Sequence, residues 1–339
     1  YNCFNKTRIM LRKKLMIVDV SGYSYSGKGA VVDILRDFPA LQVHKKEFEF
    51  LLIRATDGLL DLRSHIIDNP SEIRVDMAIK RFINLSKNLS SKPTSLFRPL
   101  SIFTPPGQDY SDLFPGFDEH TINFINNISS HTSEYWPFPS LYKSNFNSFL
   151  EKLFKLSKGD KNTKKYFSYI SRDEFDNFLN IYLRKVLFSK ISDKKTKVVT
   201  SNMLEVYSPN HFFEAIQPCK LIIVDRDPRG IFISIPGNKN DLENEKKVNE
   251  FIKKFKNQRS KKFLKNLKHE NILTLKFEDI FRDFNSTLEK ISMFLEEPIP
   301  KIFDNFSFEK SKLNVDSWKI HRNSKSIRTI ENELAKYID

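Results

Sequence analysis

The chain has 339 residues, 40% of them hydrophobic, and its 56 Lys and Arg against 42 Asp and Glu leave a formal net charge of +14. That size and apolar content suit a folded chain with one large core, and no apolar stretch approaches the roughly 18 residues of a membrane span. Two cysteines, Cys3 and Cys219, and seven scattered histidines exclude a disulfide framework or a zinc site of short ligand spacing.

Such cysteine usage predicts a reducing, cytoplasmic setting. Because the chain starts at Tyr1, a Golgi-type lumenal domain without its anchor is the alternative. The basic excess favours anionic partners. The lysines are scattered rather than gathered in a block, which a biased genome composition would also produce.

In chain order, "KLMIVDV" is an apolar run ending in a Gly/Ser turn, and "AVVDILRDF" follows with helical spacing up to Pro39. This is the strand–loop–helix opening of a βαβ unit. "LQVHKKEFEFLLI" reads as a second strand running into a loop, and residues 72 to 87 as a helix. From Ser90 to about Pro115, prolines and aromatics without a period predict a long ordered loop or cap. Residues 119 to 190 read as helical, with Phe175, Phe178, Leu179, Tyr182 and Val186 on one face.

"KVVTSN" at 197 to 202 resumes the strand pattern. A helix follows with Ser208 as N-cap and Pro209 at its first position. Then come the strand "KLIIVD", a turn and helix from Arg226, and a long basic helix over about 243 to 268. The strand "ILTLKF" and the helix "NSTLEKISMFL" complete the series. Strands alternating with helices predict an α/β fold of three layers, P-loop-like, with a central parallel sheet. Residues 90 to 195 are expected to be a loop-plus-helical insertion on the acceptor side of one domain covering 1 to 339.

The turn "SGYSYSGKGA" carries Gly22, Gly27 and Lys28 at phosphate-loop spacing. Gly29 stands where a P-loop kinase keeps the Ser or Thr that holds magnesium. Backbone amides at such a turn, with the positive end of the following helix, can cradle phosphate oxygens. The candidate contacts are Gly22, Tyr25, Ser26, Gly27, Lys28, Gly29 and Ala30. An ordinary Gly/Ser strand-to-helix turn is the competing reading.

The second constellation is "KLIIVDRDPRGIFIS". Arg226 leaves a strand at the edge where open α/β sheets bind ligands, and Ser234 lies two helical turns on. Arg226 can grip a phosphate bidentately, with Ser234 adding a hydroxyl. Asp227 and Arg229 read instead as an ion pair capping the helix.

With these motifs the sequence resembles the sulfotransferases of P-loop-like fold, which use 3′-phosphoadenosine 5′-phosphosulfate (PAPS). The resemblance covers about 15 to 55 and 197 to 298 and continues through "ILTLKFEDIFRDFNSTLEKISMFLEEP". It implies that "YSYSGKGAVVDIL" binds the 5′-phosphosulfate, with Arg226 and Ser234 of the R-D-P-R-x-x-x-x-S motif on the 3′-phosphate. It also implies PAPS as co-substrate and no metal. The chain departs from the family at Tyr25, where Lys or Arg is usual, while Lys28 occupies a position usually Thr or Ser.

"HKKEFEFLL" places Glu47 and Glu49 on one face of an extended strand. By resemblance to the glycan-type enzymes Glu47 is the candidate base, and His44 is the reserve because cytosolic members use histidine. The competing reading is an edge strand with its charges in water. A C-terminal basic segment, "DSWKIHRNSKSIR", is implied to cover the 3′-phosphate and adenine through Trp318, Lys319 and Arg322, although the family's R-K-G-x-x-G is absent.

Two rivals remain at this level. A P-loop kinase would use Asp225 at the end of "LIIVD" for magnesium, and a non-enzymatic basic protein would bind glycans or other anions. No nucleic-acid-binding motif is present. The expected acceptor is a hydroxyl or amine on a carbohydrate or small metabolite; its pocket and the oligomeric state are not legible.

Overall fold

The computed structural model describes residues 15–44, 49–92, 107–133, 164–192 and 194–338. In chain order the strands are β1 (Met16–Gly22), β2 (Leu41–Val43), β3 (His131–Ser133), β4 (Lys165–Phe167), β5 (Lys197–Ser201), β6 (Cys219–Asp225) and β7 (Ile272–Lys276). Five form one sheet in the order β2-β5-β1-β6-β7, with every pairing parallel. The protein is therefore an α/β fold on a central parallel sheet, as the alternation of strands and helices predicts.

The near-continuous apolar sequences of β1 and β6 follow from cover on both faces. On one face Met16, Val18, Val20, Val199, Ile222, Val224 and Leu275 enter a core with Val31, Ile34 and Leu35 of helix α1 (Lys28–Arg36). A separate cluster joins Ile231, Phe232, Val248, Ile252, Ile327 and Ile330 from three other helices.

The chain divides into two compact units. One holds the described residues up to Arg54 and from Lys190 onward, including the whole parallel sheet. The described residues of the other, Ala55–Ser189, are mainly helical, with α2 (Glu72–Ser90), α3 (Phe117–Ile128) and α4 (Arg172–Leu187). Its core stacks Phe124 on Tyr182 at 4.8 Å and sets Phe175 against Phe124 at 6.0 Å.

Several local expectations change. The stretch 119 to 190 is not helical throughout: β3 and β4 pair antiparallel within it, because three-residue strands are too short to show a period. The long basic helix ends early. Helix α5 (Pro228–Ser234) is followed by α6 (Glu245–Gln258), and the lysines beyond form the short pieces Lys261–Leu264 and Lys265–Leu267. Pro209, not Ser208, caps the helix Asn210–Ala215.

β2 stops at Val43, so Glu49 does not lie on a strand. Glu47 and most of the expected 90–115 loop lie outside the described residues. Among the described residues no helix is long and apolar enough to cross a membrane, and no His/Cys/Asp/Glu group is placed to hold a metal ion.

Candidate functional site

Parallel pairing sets Gly22 beside Val224, so the exits of β1 and β6 adjoin. After β1 the chain turns tightly: Ser26 N donates to Tyr23 O at 3.1 Å, and Tyr25 and Gly27 have φ of 62° and 86°. Gly27 is required twice, by its positive φ and because a Cβ there would overlap the Phe277 ring. At Gly22 a Cβ would collide with Ser26 Oγ and the Val224 carbonyl.

Gly27 caps α1 without a side chain, so the amides opening that helix remain for an outside acceptor. Ser26 Oγ is buried with no hydrogen-bond partner among the described residues, which suits a site completed by a ligand. A Cβ at Gly29 would meet nothing within 4 Å, so packing does not forbid the missing hydroxyl.

The loop lines a cavity of about 600 Å³ together with Glu49, Arg54, Asn202, Glu205 and Tyr207. Glu49 is its hub. Lys28 Nζ and Arg54 Nη2 each lie 2.8 Å from its two oxygens, and Asn202 Nδ2 donates to it at 2.6 Å. Arg54 Nε also donates to the Asn202 carbonyl at 2.5 Å. Burial alone would raise the pKa of Glu49, but the bond and charge of Lys28, with Asn202 and Arg54, hold it below the ordinary value. Burial raises that of Glu205 and outweighs Arg54 there.

The wall formed by residues 202 to 206 is anchored by Asp19, fully buried in β1. Its carboxylate accepts from Thr200 Oγ1 at 2.7 Å, Ser21 Oγ at 2.5 Å, and the Met203 and Leu204 amides at 3.0 Å each. Burial still pushes its pKa up against those four bonds.

At the exit of β6, Arg226 is 6% exposed. Its Nη1 donates to Ser234 Oγ at 3.0 Å and to the loop carbonyl of Tyr25 at 3.2 Å, and Nη2 donates to Asn314 O at 2.5 Å. Its Nε is buried without a partner among the described residues. Asp227 caps α5 by accepting from Arg229 N at 2.8 Å, and Arg229 Nη2 pairs with Asp227 at 2.6 Å, so these two form the expected ion pair.

The structure thus brings Arg226, Ser234 and Tyr25 together, and Lys28 onto the cavity. Arg226 and Ser234 do not line that cavity themselves. Ala30 lies in the first turn of α1 and packs toward the sheet core. His44 follows β2, its carbonyl accepting from Arg36 Nη2 at 3.2 Å, and is not among the cavity's lining residues. Trp318 carries the Arg229 guanidinium on its ring at 3.6 Å, while exposed Lys319 pairs with Asp316 at 3.0 Å and Arg322 is exposed.

Sequence reasoning missed Arg54, Asn202 and Asp19. Only Asp19 left a local sign, a carboxylate inside an apolar strand.

A family model described as a sulfotransferase domain matches residues 148–336. A search of curated proteins found no match. Among solved structures, retinol dehydratase, in complex with androsterone and the inactive cofactor PAP, is 13% identical with a TM-score of 0.29. The match covers 91% of this chain, which spans 66% of the length of that protein. The sulfotransferase domain of the Synechococcus PCC 7002 olefin synthase is 13% identical, with coverage of 91% and 88% and a TM-score of 0.37. Sulfotransferase STF1 from Mycobacterium tuberculosis H37Rv is 8% identical, with coverage of 99% and 80% and a TM-score of 0.39. The family model spans more than half of the chain, including β5 to β7 and the arginine motif, and the protein therefore belongs to the sulfotransferase domain family of transferases.

Proposed function

We propose that the chain moves a sulfuryl group from PAPS to a hydroxyl or amine of a carbohydrate or small-molecule acceptor, in the cytoplasm that its cysteine usage suggests. One observation carries the reading: buried Arg226 reaches both Ser234 and the carbonyl of the glycine turn while its Nε has no partner among the described residues. A buried guanidinium with a spare donor beside unbonded helix-start amides suits a nucleotide phosphorylated at both ends of its ribose.

When bound, PAPS supplies an activated sulfuryl group whose leaving phosphate is stabilised by amides and cations rather than by a divalent metal. The residues divide the work. The amides of residues 27 to 29 and Lys28 hold the 5′ end, Lys28 leaving Glu49 to do so, and Ser26 adds its hydroxyl because its amide is bonded to Tyr23 O. Arg226 and Ser234 hold the 3′-phosphate, which takes the place of the Asn314 carbonyl. Exposed Lys319 and Arg322 close over it from the segment that carries Asn314, with Trp318 beside them.

Glu47 takes the acceptor's proton, with His44 as the second choice. Glu49 is a weaker base, since its cationic neighbours lower its proton affinity. The kinase alternative asks Asp225 to support magnesium, but that carboxylate is held by Arg259 at 2.5 and 3.0 Å.

Thermal shift with 3′,5′-ADP, ADP and ATP, with and without magnesium, tests the reading. Stabilisation by 3′,5′-ADP above the others, independent of magnesium, is the expected result. A preference for ATP with magnesium would transfer the chain to the kinase class.

A further inference from the structure

Arg259 follows α6 and is only 3% exposed. Its guanidinium is sandwiched between the Tyr23 ring at 3.9 Å and the Phe255 ring at 3.6 Å. Two of its nitrogens close on the Asp225 carboxylate, Nε at 3.0 Å and Nη2 at 2.5 Å. One of those carboxylate oxygens also accepts from the Arg226 amide at 2.8 Å. Nη1 is buried with no partner among the described residues.

Burying a cation costs several kcal/mol unless its geometry and partners are excellent. Here the fork and both stacking faces are used, and they join two places far apart in sequence: the first residue of the glycine turn and the last residue of β6.

Resting on the PAPS reading above, we propose that Arg259 is a positioning residue that sets the spacing between the 5′-phosphate cradle and Arg226. Arg226 makes its own link to the turn through Tyr25 O, but that link runs through the same guanidinium that takes the 3′-phosphate. The Tyr23–Arg259–Asp225 link touches neither phosphate and persists. A ligand that bridges both subsites depends on their separation, whereas a ligand with one phosphate does not.

Arg259→Lys keeps the charge but loses the planar fork and the stack. Calorimetry with 3′,5′-ADP, 5′-AMP and 3′-AMP is expected to show 3′,5′-ADP weakened roughly tenfold, the worth of about one charge-assisted hydrogen bond. Both monophosphates should stay within about twofold, inside the scatter of such energies. Equal weakening of all three, or no weakening, overturns the proposal. A wild-type protein that binds 3′,5′-ADP no better than the monophosphates removes the nucleotide reading itself, and this proposal with it. If Arg259→Lys does not fold, Asp225→Asn carries the same comparison, because it retains an acceptor for the Arg226 amide while removing the charge on which the fork closes.

Discussion

The exit of β6 and the cavity beyond β2 treat charge in opposite ways. At β6, Arg226 and Arg259 are 6% and 3% exposed and make multiple bonds, so little can move without leaving a buried donor bare. In the cavity, the Lys28 and Glu49 side chains are 25% and 36% exposed, and water can replace either partner at small cost. Fixed charge suits recognition of one anion, and exchangeable charge suits a group that must take hold and let go in each turnover.

The largest expected effect belongs to the proposed base. Glu47→Gln is expected to leave 3′,5′-ADP binding intact while transfer falls roughly 10²-fold, as for a lost general base. Near-normal turnover would pass the role to His44 or Glu49.

Next in size is Asp19→Asn. Its amide would face donors now satisfied by the carboxylate, and should cost about 1–3 kcal/mol in denaturant unfolding. An unchanged midpoint would show that residues 202 to 206 hold their place without it.

On the fixed side, Arg226→Ala should weaken 3′,5′-ADP by more than about 1 kcal/mol in calorimetry. Unchanged affinity would reject its place on the 3′-phosphate.

The smallest effect separates two carboxylates of one cavity. Glu205, with its pKa raised above 4.5, favours the folded state most when protonated, and that contribution fades as pH rises through the folded value. Glu205→Gln should therefore raise Tm slightly at neutral pH. Glu49 has the opposite sign: its lowered pKa contributes stability above 4.5 that is lost as pH falls through the folded value. Glu49→Gln should therefore lower Tm at neutral pH. Shifts of the same sign in both variants would contradict this electrostatic picture.

Local pattern alone determined much of this protein. Apolar runs mark β1, β5, β6 and β7. Asp227 followed by Pro228 opens α5, as an N-cap and a first-position proline do. Glycines at the turn that needs a positive φ locate Lys28, and the R-D-P-R motif locates Arg226 and Ser234, before any coordinates.

What the tertiary structure decided is who faces whom. Arg54 meets the Asn202 carbonyl, Lys28 meets Glu49, and Arg259 meets Asp225 only because the order β2-β5-β1-β6-β7 sets those strand exits side by side. A charge finds its partner through distance in space, to which hydrophobic period and turn chemistry along the chain are blind.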